Sequence, residues 1–416
     1  MKKTTRSDTQ KLLLTAALGA VACGASAYEV PLSFFGSNTP PIDVHGFLSQ
    51  GYLLSSDYNY LANDTKNGSF QFTEMGLNAS MNPFPRTRIA IQGFDFDVGN
   101  VGQYDPILDY ALAEYTFTDE FGVRGGRIRR PAGIYNSIQD IDLARTFVLL
   151  PQGMYDARWR DWSAGLDGVD AFGNISLHKA GSVSYEAYAG YVEMADNGGV
   201  SRYAENAYRP NFKTTGMDST ATFGGQLWYN TPLDGLRVGA SLTYMSNFGL
   251  NGNTLTGISP FLPLAPTTIH AVGNVLFQQY SVEYAWKNWT FQAEYYTYNL
   301  SGWSHVTINE PPFANNQEVL QSFPDSNDTW YVSASHRFNH LLEIGTYYTQ
   351  YKDSSNGLGQ NDAALSLRLD LKDWWIFKIE GHYIEGTGLL RDNANNHTIN
   401  PNSGWFMLAV KSTVSF

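Results

Sequence analysis

Sixteen short amphipathic stretches, joined alternately by tight turns and by long polar segments, constrain this chain more than any other feature. The period-two stretches predict strands over 43–55, 69–81, 86–98, 107–118, 121–130, 163–177, 181–192, 219–229, 235–246, 276–286, 288–299, 328–338, 340–352, 362–371, 373–385 and 404–416. Tight joins recur at Asn82-Pro83-Phe84-Pro85, Thr118-Asp119-Glu120, Lys179-Ala180-Gly181, Thr231 to Gly235, Lys287, Asn339 and Lys372-Asp373. Between them lie long joins near 56–68, 99–106, 131–162, 193–218, 247–275, 300–327, 353–361 and 386–403. Strict alternation of short and long joins is the rhythm of an up-and-down barrel crossing a membrane, with turns on one side and loops on the other. A soluble sandwich has no reason to keep it through sixteen strands. The expected fold is all-β: a transmembrane antiparallel barrel of about sixteen strands, its long third loop folded into the lumen.

Side-chain parity agrees. Leu276, Tyr280, Val282, Tyr284 and Trp286 share one face, and Gln279, Ser281 and Glu283 the other. Leu236, Val238, Ala240, Leu242 and Tyr244 oppose Arg237, Gly239, Ser241 and Thr243, while Ala363, Leu365, Leu367, Leu369 and Leu371 oppose Ser366, Arg368 and Asp370. An apolar outer side and a wet interior follow from such rows. Trp286, Trp289, Trp330, Trp374 and Trp405 near strand ends suit interfacial girdles. The stretches 86–98, 107–118 and 121–130 alternate poorly, so their faces stay unassigned. The last strand carries Phe406, Leu408, Val410, Val414 and Phe416 in alternation, as final strands of outer-membrane proteins do.

The first residues point to export. Lys2, Lys3, Arg6 and Lys11 precede an apolar run from Leu12 to Ala22, and Ala25-Ser26-Ala27 supplies the small-x-small cleavage pattern. The expected division is a cleaved signal peptide at 1–27, a short segment at 28–42 and the barrel at 43–416. A rival reading is a lipoprotein signal cut before Cys23, with Ala20 where a larger aliphatic is usual. In the favoured reading Cys23, the sole cysteine, leaves with the signal. No later apolar run reaches the length of a spanning helix. Hydrophobic residues make up 43% and aromatics 14%, yet mean hydropathy is −0.29. Removing the four signal cations and Asp8 takes the formal charge from −12 to −15. That balance disfavours nucleic acid, which requires a basic footprint. Outer-membrane lipid and lipopolysaccharide, bridged by divalent cations to acidic loops, are the expected surroundings.

The least generic stretch is Gly126-Arg127-Ile128-Arg129-Arg130-Pro131-Ala132-Gly133. It leads into a join holding Ile134, Tyr135, Ile138, Ile141, Leu143, Phe147, Val148, Leu149 and Leu150, too apolar for a solvated outer loop. Folding into the barrel would bury these residues and narrow the lumen. Arginines crowd the same region: Arg124, Arg127, Arg129, Arg130, Arg145, Arg158 and Arg160. Guanidinium forks bind carboxylates and phosphates, and rings of them bias pores toward anions. Equally, Asp140, Asp142, Asp156 and Asp161 are at hand to pair with them and fix the loop to the wall. Over about forty residues this region resembles the phosphate-selective porin O/P family, whose comparable strand end reads roughly Gly-x-x-Lys-x-Pro-Phe-Gly. Arg129 stands where the family has Lys, and Ala132 and Tyr135 depart from its Phe and Glu. The resemblance implies a Gram-negative porin with a constriction loop, and a homotrimer, more than it implies phosphate as the solute.

Candidate lumen-lining residues of both signs follow elsewhere: Arg237, Arg337, Arg368, Lys378 and Lys411 against Glu186, Glu283, Glu294, Glu343, Asp370 and Glu380. Such rows keep a lumen wet and set a transverse field. The 26 Tyr and 10 Trp leave an aromatic path for sugars or organic acids as an alternative. His336 and His340 stand four residues apart but flank a tight turn rather than share a helix face, and neither Gly-x-Ser-x-Gly nor a phosphate-cradling glycine loop occurs, so neither metal, cofactor nor catalysis is expected. His382 beside Glu380 could imitate a barrel enzyme's wall, but same-face neighbours in a polar lumen explain it. Barrels of roughly sixteen to eighteen strands leave an aqueous channel. The expectation is therefore a diffusion channel for small polar, chiefly anionic, solutes; a closed structural or adhesive surface barrel is the second.

Overall fold

The computed structural model describes residues 28–30, 40–99, 101–207, 211–256, 265–308, 317–322, 325–354, 357–390, 395, 399–400 and 403–416. The expected signal peptide, the alternative lipoprotein cysteine and most of the 28–42 segment lie outside them.

The chain closes into one antiparallel barrel of sixteen strands. They are β1 Ile42–Ser55, β2 Phe72–Met81, β3 Thr87–Val98, β4 Ile107–Thr118, β5 Phe121–Arg129, β6 Gly165–Ser176, β7 Ser182–Val192 and β8 Thr220–Asn230. The second half comprises β9 Leu236–Thr256, β10 Ala265–Trp286, β11 Trp289–Ile308, β12 Asp325–Arg337, β13 Leu342–Asp353, β14 Gly359–Lys372, β15 Trp375–Gly386 and β16 Gly404–Ser415. Each strand pairs with the next, and β16 pairs with β1 through Val414↔Leu48 and Lys411↔Gly51. Closure gives each of the sixteen wall strands a partner on both sides. Three short strands sit outside the ring: Tyr28–Val30 pairs with the start of β1, Lys213–Met217 with the end of β9, and Gln317–Ser322 with the end of β11.

All sixteen expected strands are present, but β9, β10 and β11 run about twice as far as expected. The segments 247–275 and 300–327, expected as loops, are largely a ribbon of these strands carried beyond the wall. Paired backbone there satisfies its hydrogen bonds without an apolar face.

The outer surface is apolar at its middle. Leu77, Val169, Leu227, Leu365 and Phe406 are each more than half exposed and occupy outward positions of five different strands. In the same rows the inward neighbours Thr243, Ser281, Ser366 and Thr413 are buried. An apolar exterior around a polar wall suits lipid outside and water or protein within. Trp286 and Trp289 stand exposed at a tight-turn end, as a girdle requires. Trp405 does not: it is fully buried on the inward side, edge-on to Tyr58 and Tyr60 at 5.8 and 5.4 Å, and donates to the Gly386 carbonyl.

Candidate functional site

Residues 130–164, between β5 and β6, cross the inside of the barrel. The segment is built of short turns rather than regular helix: Asn136–Ile138, Asp142–Ala144 and Ala157–Trp159, with α1 Gln152–Tyr155 and α2 Arg160–Ser163. Its backbone groups therefore lack a helical ladder, and the wall supplies partners instead. The Gly133 N–H donates to Ser241 Oγ (3.1 Å), and Gln226 donates to the Gly133 carbonyl (2.7 Å). The Ile134 N–H donates to Glu294 at 3.0 Å. Glu294 also accepts from Tyr331, Gln279, Ser281 and Tyr155, so the buried carboxyl is surrounded by donors and has no cation beside it among the described residues. Further along, the Val148 and Leu149 N–H groups both donate to Glu380 at 2.8 Å. Thr146 donates to Glu343, and Thr329 on β12 to the Gly153 carbonyl.

The turn at Asp142 meets a row of cations. Arg368, Lys378 and Lys411 stand side by side on β14, β15 and β16, in direct register. Lys378 Nζ lies 3.0 Å from Asp142 Oδ1, Lys411 at 3.4 Å and Arg145 at 3.5 Å, while Thr413 donates to Oδ2 at 2.8 Å. Arg368 reaches the carbonyls of Leu143 (2.8 Å) and Arg145 (3.0 Å) instead. Burial by itself would push the Asp142 carboxyl up, but Lys378, Lys411 and Arg145 hold it well below the ordinary carboxylate range.

The seven arginines expected at a constriction separate into four groups. Arg129 and Arg160 share Asp140 and Asp109, with Arg129 at 2.8 Å and Arg160 at 3.3 Å from Asp140 Oδ1. Arg158 forks onto Asp156 at 2.9 and 2.8 Å, and Arg145 faces Asp142. These four fasten the loop to itself and to the wall. Arg124 lies deeper on the inner face among Asp170, Glu114 and Glu186, at 3.2, 3.4 and 3.5 Å. Arg127 is on the outer face: it aligns with Ala111, Asp167 and the exposed Tyr191, opposite in parity to the inward Arg124 and Ile128, and pairs with Asp167 at 3.1 Å. The register therefore places Arg127 outside the expected constriction, which the sequence could not show because 121–130 alternates too poorly to assign its faces.

Arg130 differs from all of them. Its Nε donates to the Ser163 carbonyl at 3.0 Å and its guanidinium sits 5.3 Å from the Phe277 ring centre. It is 5% exposed, and among the described residues no carboxylate pairs with it.

Of the candidate lumen-lining residues, Glu294, Lys378, Glu380 and Lys411 are buried against the loop, and others pair with one another. Arg237 pairs with Glu283 at 2.8 Å, Arg337 with Asp370 at 2.7 Å and with Glu343, and Arg368 with Asp370 at 2.7 Å. Sequence reasoning missed the carboxylates that matter most here, Asp109, Glu74 and Asp362. His382 lies between Asp362 (3.0 Å) and Glu380 (3.0 Å), and Glu74 pairs with Lys411.

The loop divides the interior. On the tight-turn side a cavity of about 720 Å³ is lined by His45, Arg88, Arg124, Arg129, Glu186 and Trp374, among others. On the long-loop side a cavity of about 110 Å³ is lined by Arg130, aromatic rings and carboxamides. The long-loop half is not uniformly wet, as parity alone suggested. Leu53, Phe72, Phe94, Phe96, Val148 and Leu149 pack there into one apolar cluster.

No protein-family model and no curated protein matches the chain. Solved structures do. The anion-selective porin from Comamonas acidovorans is 10% identical, covering 91% of this chain and all of its own, with a TM-score of 0.52. OmpF of Salmonella typhi, in complex with daunomycin, is 12% identical over 94% of this chain and all of its own, at 0.51. The trimer form of OmpT, an outer-membrane protein of Vibrio cholerae, is 12% identical over 91% of this chain and all of its own, at 0.50. At these identities the likeness establishes the fold, that of an outer-membrane β-barrel.

Proposed function

We propose that this outer-membrane barrel is a passive diffusion channel, a porin, for small polar solutes with a bias toward anions. The observation that supports it is the pair of cavities, about 720 and 110 Å³, on the two sides of the inward loop. A barrel built only as a surface scaffold needs no polar inner wall at both ends. The loop narrows the path between them, and the phosphate-selective porin O/P family, which the segment 126–133 resembles, places its constriction loop in the corresponding join. The anion bias rests on fewer residues than the arginine count suggests. Arg129, Arg145, Arg158 and Arg160 are neutralised by buried carboxylates, Arg124 is paired with Asp170, Glu114 and Glu186, and Arg127 faces outward, which leaves Arg130, with Arg88 in the larger cavity, as the cations that a passing anion meets. A homotrimer in lipid and lipopolysaccharide belongs to the same reading.

A second reading, a closed structural barrel, is favoured by one observation: the loop is bonded to the wall around much of the ring, from Gln226 on β8 to Thr413 on β16. Planar-bilayer recording separates the two. Stepwise conductance from purified, folded protein is the expected result, and a silent membrane would remove the channel reading. The reversal potential in a salt gradient should report anion preference. Both ring nitrogens of His382, beside Glu380 on the wall, are engaged by Asp362 and Glu380.

A further inference from the structure

The smaller cavity has the composition of a binding site rather than of a water path. Arg130 and Arg158 line it, and Asp156 is the one carboxylate on its described lining. Asp156 is committed to Arg158 through two bonds below 3.0 Å, so the uncompensated charge in the cavity is that of Arg130. Arg130 is held in place: its backbone N–H donates to the Ala164 carbonyl, its own carbonyl accepts from Asn136, and Nε is spent on Ser163. Nη1 is buried without any partner. A guanidinium nitrogen left unpaired away from water is costly unless a ligand completes it.

Around that charge stand flat apolar faces. Trp162 meets Phe277 edge-on at 5.1 Å and Tyr298 at 6.1 Å, while Tyr296 stacks on Phe277 at 6.2 Å with 28° between planes. Asn327, also on the lining, has a buried Oδ1 without a partner, an acceptor for a donor on the ligand. An engineered apolar cavity of roughly 150 Å³ holds a benzene ring. This one, at about 110 Å³, is in the size class of a single six-membered ring.

We propose that this cavity is a solute subsite for small aromatic carboxylates, the carboxylate taken by Arg130 and the ring by Trp162, Phe277 and Tyr298. A bare inorganic anion gains only the charge, and a neutral ring only the faces. The proposal deepens the channel reading by naming its solute class, yet binding and conduction fail separately.

The test is therefore equilibrium binding to the full barrel folded in detergent, followed by calorimetry and tryptophan fluorescence with benzoate as the probe. Benzoate should bind saturably, and cyclohexanecarboxylate and inorganic phosphate at least tenfold more weakly. Arg130→Gln should weaken benzoate at least tenfold, and Arg130→Lys, which keeps the charge but loses the fork, by less. Phe277→Leu should weaken benzoate while leaving phosphate unchanged, which keeps the test open if Arg130→Gln does not fold. No saturable benzoate binding, equal affinity for phosphate, or full affinity in folded Arg130→Gln would overturn the assignment. Binding with a silent bilayer would overturn the channel and leave the subsite standing.

Discussion

Asp142 at a turn of the inward loop and Lys378 on the wall strand β15 lie 3.0 Å apart, and neither side chain has any exposed surface. For both Lys378 and Arg145, Asp142 is the carboxylate partner. Removing one member of a buried ion pair strands the other, at a cost of about 3–5 kcal/mol. Asp142→Asn should lower the stability of the folded barrel by that order, read as a shifted guanidinium midpoint. Because the folded-state carboxyl is depressed, its contribution is present above the unfolded value near pH 4 and lost only as pH falls through the folded value. An unshifted midpoint at pH 7 would mean that water already reaches the cluster.

Asp161 on α2 titrates in the opposite sense. Burial pushes its carboxyl from an ordinary 3.8 up to about 7, against backbone N–H donors that include Val200 at 3.4 Å. A raised carboxyl favours the protonated folded form, so its stabilisation is full below about pH 4 and lost as pH rises through 7. It caps α3, Gly199–Ala207, on the neighbouring loop. Hydrogen exchange of that helix, corrected for intrinsic rates, should be slower at pH 5 than at pH 8. Asp161→Asn should flatten the difference; an unchanged profile would place the titration elsewhere.

The facing of the wall has its own test in adjacent residues of β14. Leu365 is 63% exposed on the outer side and Ser366 is fully buried on the inner side, where it donates to the Thr146 carbonyl. Leu365→Arg should cost about 2–4 kcal/mol in a bilayer, the range for a cation near the midplane of a barrel's lipid face. Equilibrium folding into lipid vesicles measures it. Ser366→Ala should cost about 1 kcal/mol, one hydrogen bond. Equal costs would contradict the lipid-facing assignment.

Two neighbouring arginines should differ in ion selectivity. Arg127→Gln removes a charge on the outer face and should leave the reversal potential within a few millivolts of the parent. Arg130→Gln removes the unpaired inner cation and should move it toward cation preference. A shift from Arg127→Gln comparable to that from Arg130→Gln would undo the parity argument.

Strand positions were legible because each wall strand obeys two demands at once, lipid on one face and polar neighbours on the other. They became hard to read where the second demand lapses. On β3, Phe94 and Phe96 face inward against the apolar cluster while Ile89 and Ile91 face outward, so both faces are apolar and alternation disappears. The outer halves of β9 and β10 read as loop because Asn251-Gly252-Asn253 carries no apolar row, although register pairs it with His270, Ile269 and Thr268. The arginine cluster was legible as a place and not as a function. Asp140, Asp142 and Asp156 could be suspected from proximity, whereas Asp109 lies 51 residues from Arg160 and Lys378 lies 236 from Asp142. Nothing local marks which guanidinium is left over, and Arg130 is singled out only once every carboxylate has been assigned.

Five of the partners that hold the inward loop come from the far end of the chain: Arg368, Lys378, Glu380, Lys411 and Thr413 lie on β14 to β16, and β16 also seals the wall against β1. Contacts between residues so distant in sequence form slowly, because a long stretch of chain must be ordered before they offset its lost entropy. Seating this side of the loop and shutting the wall thus both wait on the same last three strands. A ring that closed without the loop would keep Glu74 beside Lys411 and Asp370 beside Arg368 but leave Lys378 without Asp142, its carboxylate partner.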